Sequence, residues 1–132
     1  MRIRAENHLM SLTCSLGCFF RNIQDMAADR SVMLIDLPGF AESDRPEFGP
    51  NPEMDWLKSL QSVLSQEVKE KYWLAGHSFG GFLAARLAME EGERLEGVIL
   101  MDPWGFKVSY KNFYIAKYLS YKLFIECSLN ES

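Results

Sequence analysis

Between Lys71 and Met89 the chain changes its hydrophobic period within a single short turn, and few folds accommodate so abrupt a change. Lys71-Tyr72-Trp73-Leu74-Ala75 reads as a buried strand that breaks at Gly76. Phe82, Leu83, Ala85, Arg86, Leu87, Ala88 and Met89 then follow a helical pattern that ends near Gly92. The join is Gly76-His77-Ser78-Phe79-Gly80, with Gly81 next. A strand that passes straight into a helix drives the turn residue toward positive φ, and side chains on either side of it collide. Glycine at 76 and 80 avoids that clash, and Gly81 lets the helix lie close to the sheet.

The flanking chain repeats the alternation. Val32-Met33-Leu34-Ile35-Asp36 is an apolar run ending in an acid, the pattern of a strand buried on both faces of a parallel sheet. Residues 37–52 hold Pro38, Gly39, Pro46, Gly49, Pro50 and Pro52 and read as a loop. From Pro52 to about Lys69 a helix is predicted: Pro52 suits its first turn, Glu53 and Asp55 its positive end, and Trp56, Leu57, Leu60, Val63, Leu64 and Val68 one face. Gly97-Val98-Ile99-Leu100-Met101-Asp102 is a further strand, stopped by Pro103. Cys18 to Asp29 is read as another helix, and Leu9 to Leu16 as a poor strand candidate. Strand, helix, strand, helix, strand is the rhythm of an α/β fold with a mostly parallel sheet and flanking helices.

A chain of 132 residues is one domain's worth. Its net charge of -4 offers no electrostatic footprint for nucleic acid, and no apolar run is long enough to cross a bilayer. Arg2 and Arg4 ahead of Leu9–Phe20 loosely imitate a secretory signal, but Glu6, Asn7 and His8 interrupt it and no cleavage site follows. Cys14, Cys18 and Cys127 are too few for a disulfide scaffold, and a lone C-x3-C is weak evidence for metal. The default is reduced thiols in an intracellular, cytoplasmic setting.

Gly76-His77-Ser78-Phe79-Gly80 matches G-x-S-x-G between a strand and a helix, which is the context of a nucleophile elbow. Ser78 is the candidate catalytic nucleophile. Phe79 is the candidate oxyanion-hole donor, through its backbone N–H. Serine needs a base, and the base an orienting acid, in the chain order Ser, acid, His. The only histidines, His8 and His77, do not follow Ser78, and an elbow points the side chain of His77 away from the nucleophile. Asp102 ends a strand after the elbow, and Asp36 ends an earlier one. Both read as turn-fixing scaffold rather than chemistry. The triad does not close within this chain.

Asp36-Leu37-Pro38-Gly39-Phe40-Ala41-Glu42-Ser43 resembles the D-x-x-G-x-G-x-S turn of α/β-hydrolases. Gly76–Ala84 and Met101-Asp102-Pro103-Trp104-Gly105-Phe106 resemble, more narrowly, the subfamily of the N-acyl-phosphatidylethanolamine lipase and the lipid-droplet activator of triglyceride lipase. The activator branch typically carries asparagine at the nucleophile, so Ser78 groups this sequence with the hydrolytic branch. The resemblance implies hydrolysis of acyl esters in phospholipids or lysophospholipids at a lipid surface, with no metal or organic cofactor. It also implies a lipid substrate, a lipase or a lipid-droplet coat protein as partner, and a lipid droplet, mitochondrion or endomembrane surface as location. Relatives also carry lysophosphatidate acyltransferase activity linked to a late His-x4-Asp motif, which is absent here. The His-Gly oxyanion loop expected before residue 17 is absent as well, as are the lid, the later strands, the acid and the histidine.

Three segments result: an atypical N-terminus over 1–16, a partial α/β-hydrolase domain over 17–107, and an unrelated-looking tail over 108–132. That tail lacks Gly, Pro, Asp, Arg, His, Trp, Met, Gln and Thr and holds four of the five tyrosines. Its composition favours A- and T-rich codons, and Val108-Ser109 is what a GTAAGT splice donor encodes. The chain is therefore expected to be a truncated, inactive form that reads through an unspliced donor. Lysines and aromatics across Lys107–Glu126 are also the mixture found in interfacial helices, though they keep to no clean face. The rival functions are a non-catalytic lipid- or lipase-binding module, an acyltransferase relative, and a hydrolase of some other small molecule.

Overall fold

The computed structural model describes residues 8–13, 19–105 and 122–126. Five strands form one sheet: β1 (His8–Thr13), β2 (Ser31–Asp36), β3 (Tyr72–His77), β4 (Leu95–Met101) and β5 (Lys122–Glu126), in the order β2-β1-β3-β4-β5. Every pairing is parallel. Helices α1 (Ile23–Met26), α2 (Pro52–Glu67) and α3 (Phe79–Glu91) connect them.

β1 is the surprise. The stretch that read as a poor strand lies inside the sheet, with Leu9↔Val32 on one side and Leu9↔Trp73 on the other. Its apolar residues, which loosely imitated a signal, are buried at Leu9, Met10 and Leu12. The helix expected over Cys18–Asp29 is a single turn, Ile23–Met26, entered through backbone bonds from Asn22 and Ile23 to the Phe19 carbonyl. β2 is half-buried rather than buried on both faces, because it stands at the sheet edge and has one neighbour instead of two. Lys122–Glu126, within the segment read as an unrelated tail, runs beside β4 with Val98↔Leu123 and Met101↔Glu126. Cys14, Cys18 and Cys127 lie outside the described residues, as does most of the tail.

Alternation along the strands divides the sheet into two faces. Met10, Leu12, Leu74, Val98 and Leu100 point to one face, where Leu57, Leu60 and Leu64 of α2 and Leu83, Ala84 and Leu87 of α3 cover them. Helix α2 opens as its sequence requires, with Pro52 in the first turn and Asn51 accepting from Met54 N–H. Gly49 N–H donates to Asp55 Oδ2 at 2.7 Å and pins the preceding loop. At the surface Gln61 Nε2 donates to Glu90 Oε2 at 2.6 Å. Arg86 Nε stands 2.8 Å from Glu53 Oε1 without hydrogen-bond alignment, so it is an ion pair only. Such half-exposed contacts contribute about 0–1 kcal/mol each, and the leucine core carries the packing.

Candidate active site

Ser78 sits between β3 and α3 with φ 53 and ψ -117. A non-glycine residue there costs about 1–3 kcal/mol unless its surroundings fix it. They do. Ser78 N–H donates to the Met101 carbonyl at 3.0 Å, and the Ser78 carbonyl accepts from Phe82 N–H at 3.1 Å and Trp104 N–H at 2.8 Å. Both backbone groups of the turn residue are thus tied, one to β4, the other to α3 and to the turn after β4.

The glycines do what the sequence asked of them, against partners it did not name. A Cβ on Gly76 would collide with the Gly80 carbonyl, and one on Gly80 with the carbonyl of Leu12 in β1. At Gly81 it would lie 3.0 Å from the Gly76 carbonyl oxygen and 3.0 Å from Pro103 Cβ. The elbow is therefore pressed against β1 on one side and the Pro103 turn on the other. Phe79 is the first residue of α3, so its N–H precedes the first intrahelical bond, the one from Phe82 to Ser78.

The remaining sequence candidates fall into place by register. His8 begins β1 opposite Tyr72, at the far end of β3 from Ser78. Five strand steps of about 3.3 Å separate Tyr72 from His77, so His8 is out of reach of the turn. His77 ends β3, exposed. Asp102 directly follows the residue that receives Ser78 N–H, is exposed, and has φ 41. Asp36 ends β2, and its carbonyl accepts from Ser43 Oγ at 2.6 Å, closing the 36–43 turn. In that turn Gly39 has φ 88, and Ala41, which replaces the second glycine of the pattern, has φ 41. The loop after β1, where a second oxyanion donor is expected, lies outside the described residues. Among them, no cluster of His, Cys, Asp and Glu could hold a metal ion, and no helix is long and apolar enough to cross a membrane.

Sequence reasoning missed an aromatic cluster. The ring of Phe79 lies 4.8 Å from Trp56, 5.9 Å from Trp104, 6.0 Å from Phe82 and 6.2 Å from Phe40, measured between centroids. Phe48 lies 4.4 Å from Trp56, whose indole N–H donates to the Pro38 carbonyl at 2.9 Å. The available signal was that the 36–43 turn, the elbow and the turn after β4 each carry an aromatic residue. At the opposite end of the sheet, Tyr72 O–H donates to Glu91 Oε2 at 3.0 Å, and Arg94 Nη1 reaches the same oxygen at 2.8 Å. Burial, then the Glu91 charge, pushes the Tyr72 hydroxyl well above its ordinary value.

A strained serine between a parallel strand and a helix, seated on glycines, defines a class. Residues 11–122 match the alpha/beta hydrolase fold family, and the chain belongs to it. The match runs past Phe106, where the resemblance of individual motifs stops. Among its relatives, an abhydrolase domain-containing protein, abhd-5.2, of Caenorhabditis elegans is 42% identical over 87 residues, covering 64% of this chain and 20% of that one. The 1-acylglycerol-3-phosphate O-acyltransferase ABHD5 of Rattus norvegicus is 36% identical, covering 69% and 27%. The (lyso)-N-acylphosphatidylethanolamine lipase of Mus musculus is 35% identical, covering 69% and 28%. These are the group that the Gly76–Ala84 and Met101–Phe106 motifs resembled. The chain spans about a quarter of the length of these curated relatives. A probable hydrolytic enzyme of Pseudomonas aeruginosa PAO1 shares the fold, with a TM-score of 0.69 and 23% identity over 80% of this chain and 35% of that one.

Proposed function

We propose that this chain is the nucleophile-bearing part of a serine hydrolase that cleaves acyl esters of phospholipids or lysophospholipids. The observation that carries the reading is Ser78, held at φ 53 at the start of α3 by backbone bonds on both of its polar groups. In the complete reaction Ser78 Oγ attacks the ester carbonyl carbon while a base takes its proton. The oxyanion that forms accepts from Phe79 N–H, and collapse expels the alcohol, which receives the proton. Water then releases the acid from acyl-Ser78. Each oxyanion donor is worth about 10²–10³ in rate, and loss of the base costs several powers of ten more.

Neither His8 nor His77 is placed to serve as that base, so the chain alone is expected to be inactive. That placement also favours the second reading, a module that binds lipid or a lipase without cutting, as a partner at a cytoplasmic lipid surface. The names of the lipase and acyltransferase relatives supply the lipid class. A chimera tests the first reading by joining this chain's matched residues to the later part of the mouse lipase relative. A fluorophosphonate probe should label the chimera at Ser78, lose that label in Ser78→Ala, and leave the unfused chain unlabelled. A folded chimera that stays unlabelled sinks the hydrolase reading; labelling of the unfused chain sinks its inactivity.

A further inference from the structure

Four large apolar side chains stand out into solvent among the described residues: Phe20, Val63, Met89 and Trp104. Single exposed apolar residues are ordinary on protein surfaces. Trp104 differs from the other three because its backbone N–H ends on the Ser78 carbonyl, at 2.8 Å. Its position is fixed from both sides, since Asp102 (φ 41) and Gly105 (φ 82) hold the turn in a left-handed course. A Cβ on Gly105 would meet the Phe82 ring at 3.5 Å, so the turn lies against that ring. The indole itself stands nearly perpendicular to Phe82, at 84° and 5.5 Å, and to Phe79, at 68° and 5.9 Å. Edge contacts of this kind use the rim of a ring and leave a face open, and Trp104 remains 60% exposed.

We propose that Trp104, backed by Phe82, is the ledge on which the substrate's long acyl chain lies as its ester carbonyl meets Ser78. This deepens the reading of Ser78 as an ester-cleaving nucleophile and rests on it. The rings around the elbow carry no formal charge and offer apolar faces. Among the described residues, the cations that stand over rings, Arg21 and Arg94, lie over Phe20 and Tyr72 instead. An alkyl chain finds in the ring cluster a broad apolar surface with little rotameric freedom to lose. Trp104 is a specificity residue in this arrangement. It takes no part in bond making.

The test uses the whole chain and the fluorescent C18 fatty acid cis-parinaric acid as probe. Saturable binding is expected, displaced by oleate and by oleoyl lysophosphatidylcholine below its micellar concentration but not by glycerophosphocholine. Trp104→Phe, which keeps an aromatic surface, should bind within about twofold of the original, and Trp104→Ser at least about fivefold more weakly. Met89→Ser, which removes a still more exposed side chain from α3, should change binding less than about twofold. The proposal is overturned by absence of saturable binding, by original affinity in Trp104→Ser, by an equal loss in Met89→Ser, or by displacement with the headgroup alone. Labelling of Ser78 in the chimera reports on the parent reading separately. Binding without labelling removes hydrolysis and keeps the ledge, while labelling without binding removes the ledge alone.

Discussion

At its N-terminal end β3 begins with Tyr72, a fully buried ring whose hydroxyl meets Glu91 and whose face lies 5.6 Å from the Arg94 guanidinium carbon. At its C-terminal end the same strand finishes in Gly76 and His77 and turns at Ser78, where the anchoring uses main-chain bonds and missing side chains. The lower end joins β3, the end of α3 and the residue just past α2 with one acid and one guanidinium, since Arg94 Nη2 also donates to the Val68 carbonyl at 2.8 Å. At the upper end the strain at Ser78 is held by its own backbone N–H and carbonyl, about five strand steps from the charge-assisted contacts of Glu91 and Arg94.

The comparison breaks most readily at Gly80. A methyl there collides with the Leu12 carbonyl, so Gly80→Ala is expected to lower unfolding free energy by about 3 kcal/mol. Equilibrium urea unfolding measures it, and an effect below about 1 kcal/mol would show that the elbow is not pressed on β1. Glu91→Ala strips the lower end of its shared acceptor and leaves the Tyr72 hydroxyl and Arg94 without it, for an expected loss of about 2 kcal/mol. The same unfolding curves decide that case.

The lower end should also be sensitive to alkali, and the upper end not. In the unfolded chain Tyr72 loses its proton near its ordinary value of 10.0, while in the fold burial, then the Glu91 charge, then the Glu91 hydrogen bond hold the proton to higher pH. Its contribution is therefore whole below about pH 10 and is lost as pH climbs beyond. Denaturant midpoints at about pH 9 and pH 11 should differ in the original chain and differ less in Tyr72→Phe. An unchanged slope in the variant removes Tyr72 as the cause.

Smaller effects sharpen the upper end. Ser78→Gly should exceed Ser78→Ala in stability by about 1 kcal/mol, because only glycine relieves the positive φ. Ala41→Gly should raise stability by about 0.5 kcal/mol, the relief of φ 41 offset in part by glycine's greater chain entropy. Thermal melts rank both pairs, and a destabilised Ala41→Gly would mean that the alanine methyl is needed for packing.

Much of the upper end was legible in the chain itself. Gly76, Ser78, Gly80 and Gly81 announce a strand that turns into a helix, because glycines at 76, 80 and 81 give the room so tight a reversal of period needs. The α2 boundary was legible for the same local reason, with Pro52, Glu53 and Asp55 each suited to a helix start. β1 was not, since Ser11 and His8 dilute its apolar signal, and its strand character comes from pairing with β2 and β3 on both sides. Nor was the place of Trp104, 26 positions after Ser78 in the chain: its bond to Ser78 exists because β4 lies beside β3 in register, His77↔Met101.

The division follows the range of the forces. Backbone strain, capping and hydrophobic period act over a few residues, so the sequence alone determined the elbow, α2, α3 and the alternation of a parallel α/β fold. Strand order, the Leu12 carbonyl beneath Gly80, the meeting of Tyr72, Glu91 and Arg94, and the rings around Phe79 join residues far apart in the chain. No local pattern encodes those meetings. They were decided only when the sheet assembled, because parallel strands bring together segments that a whole helix separates in sequence.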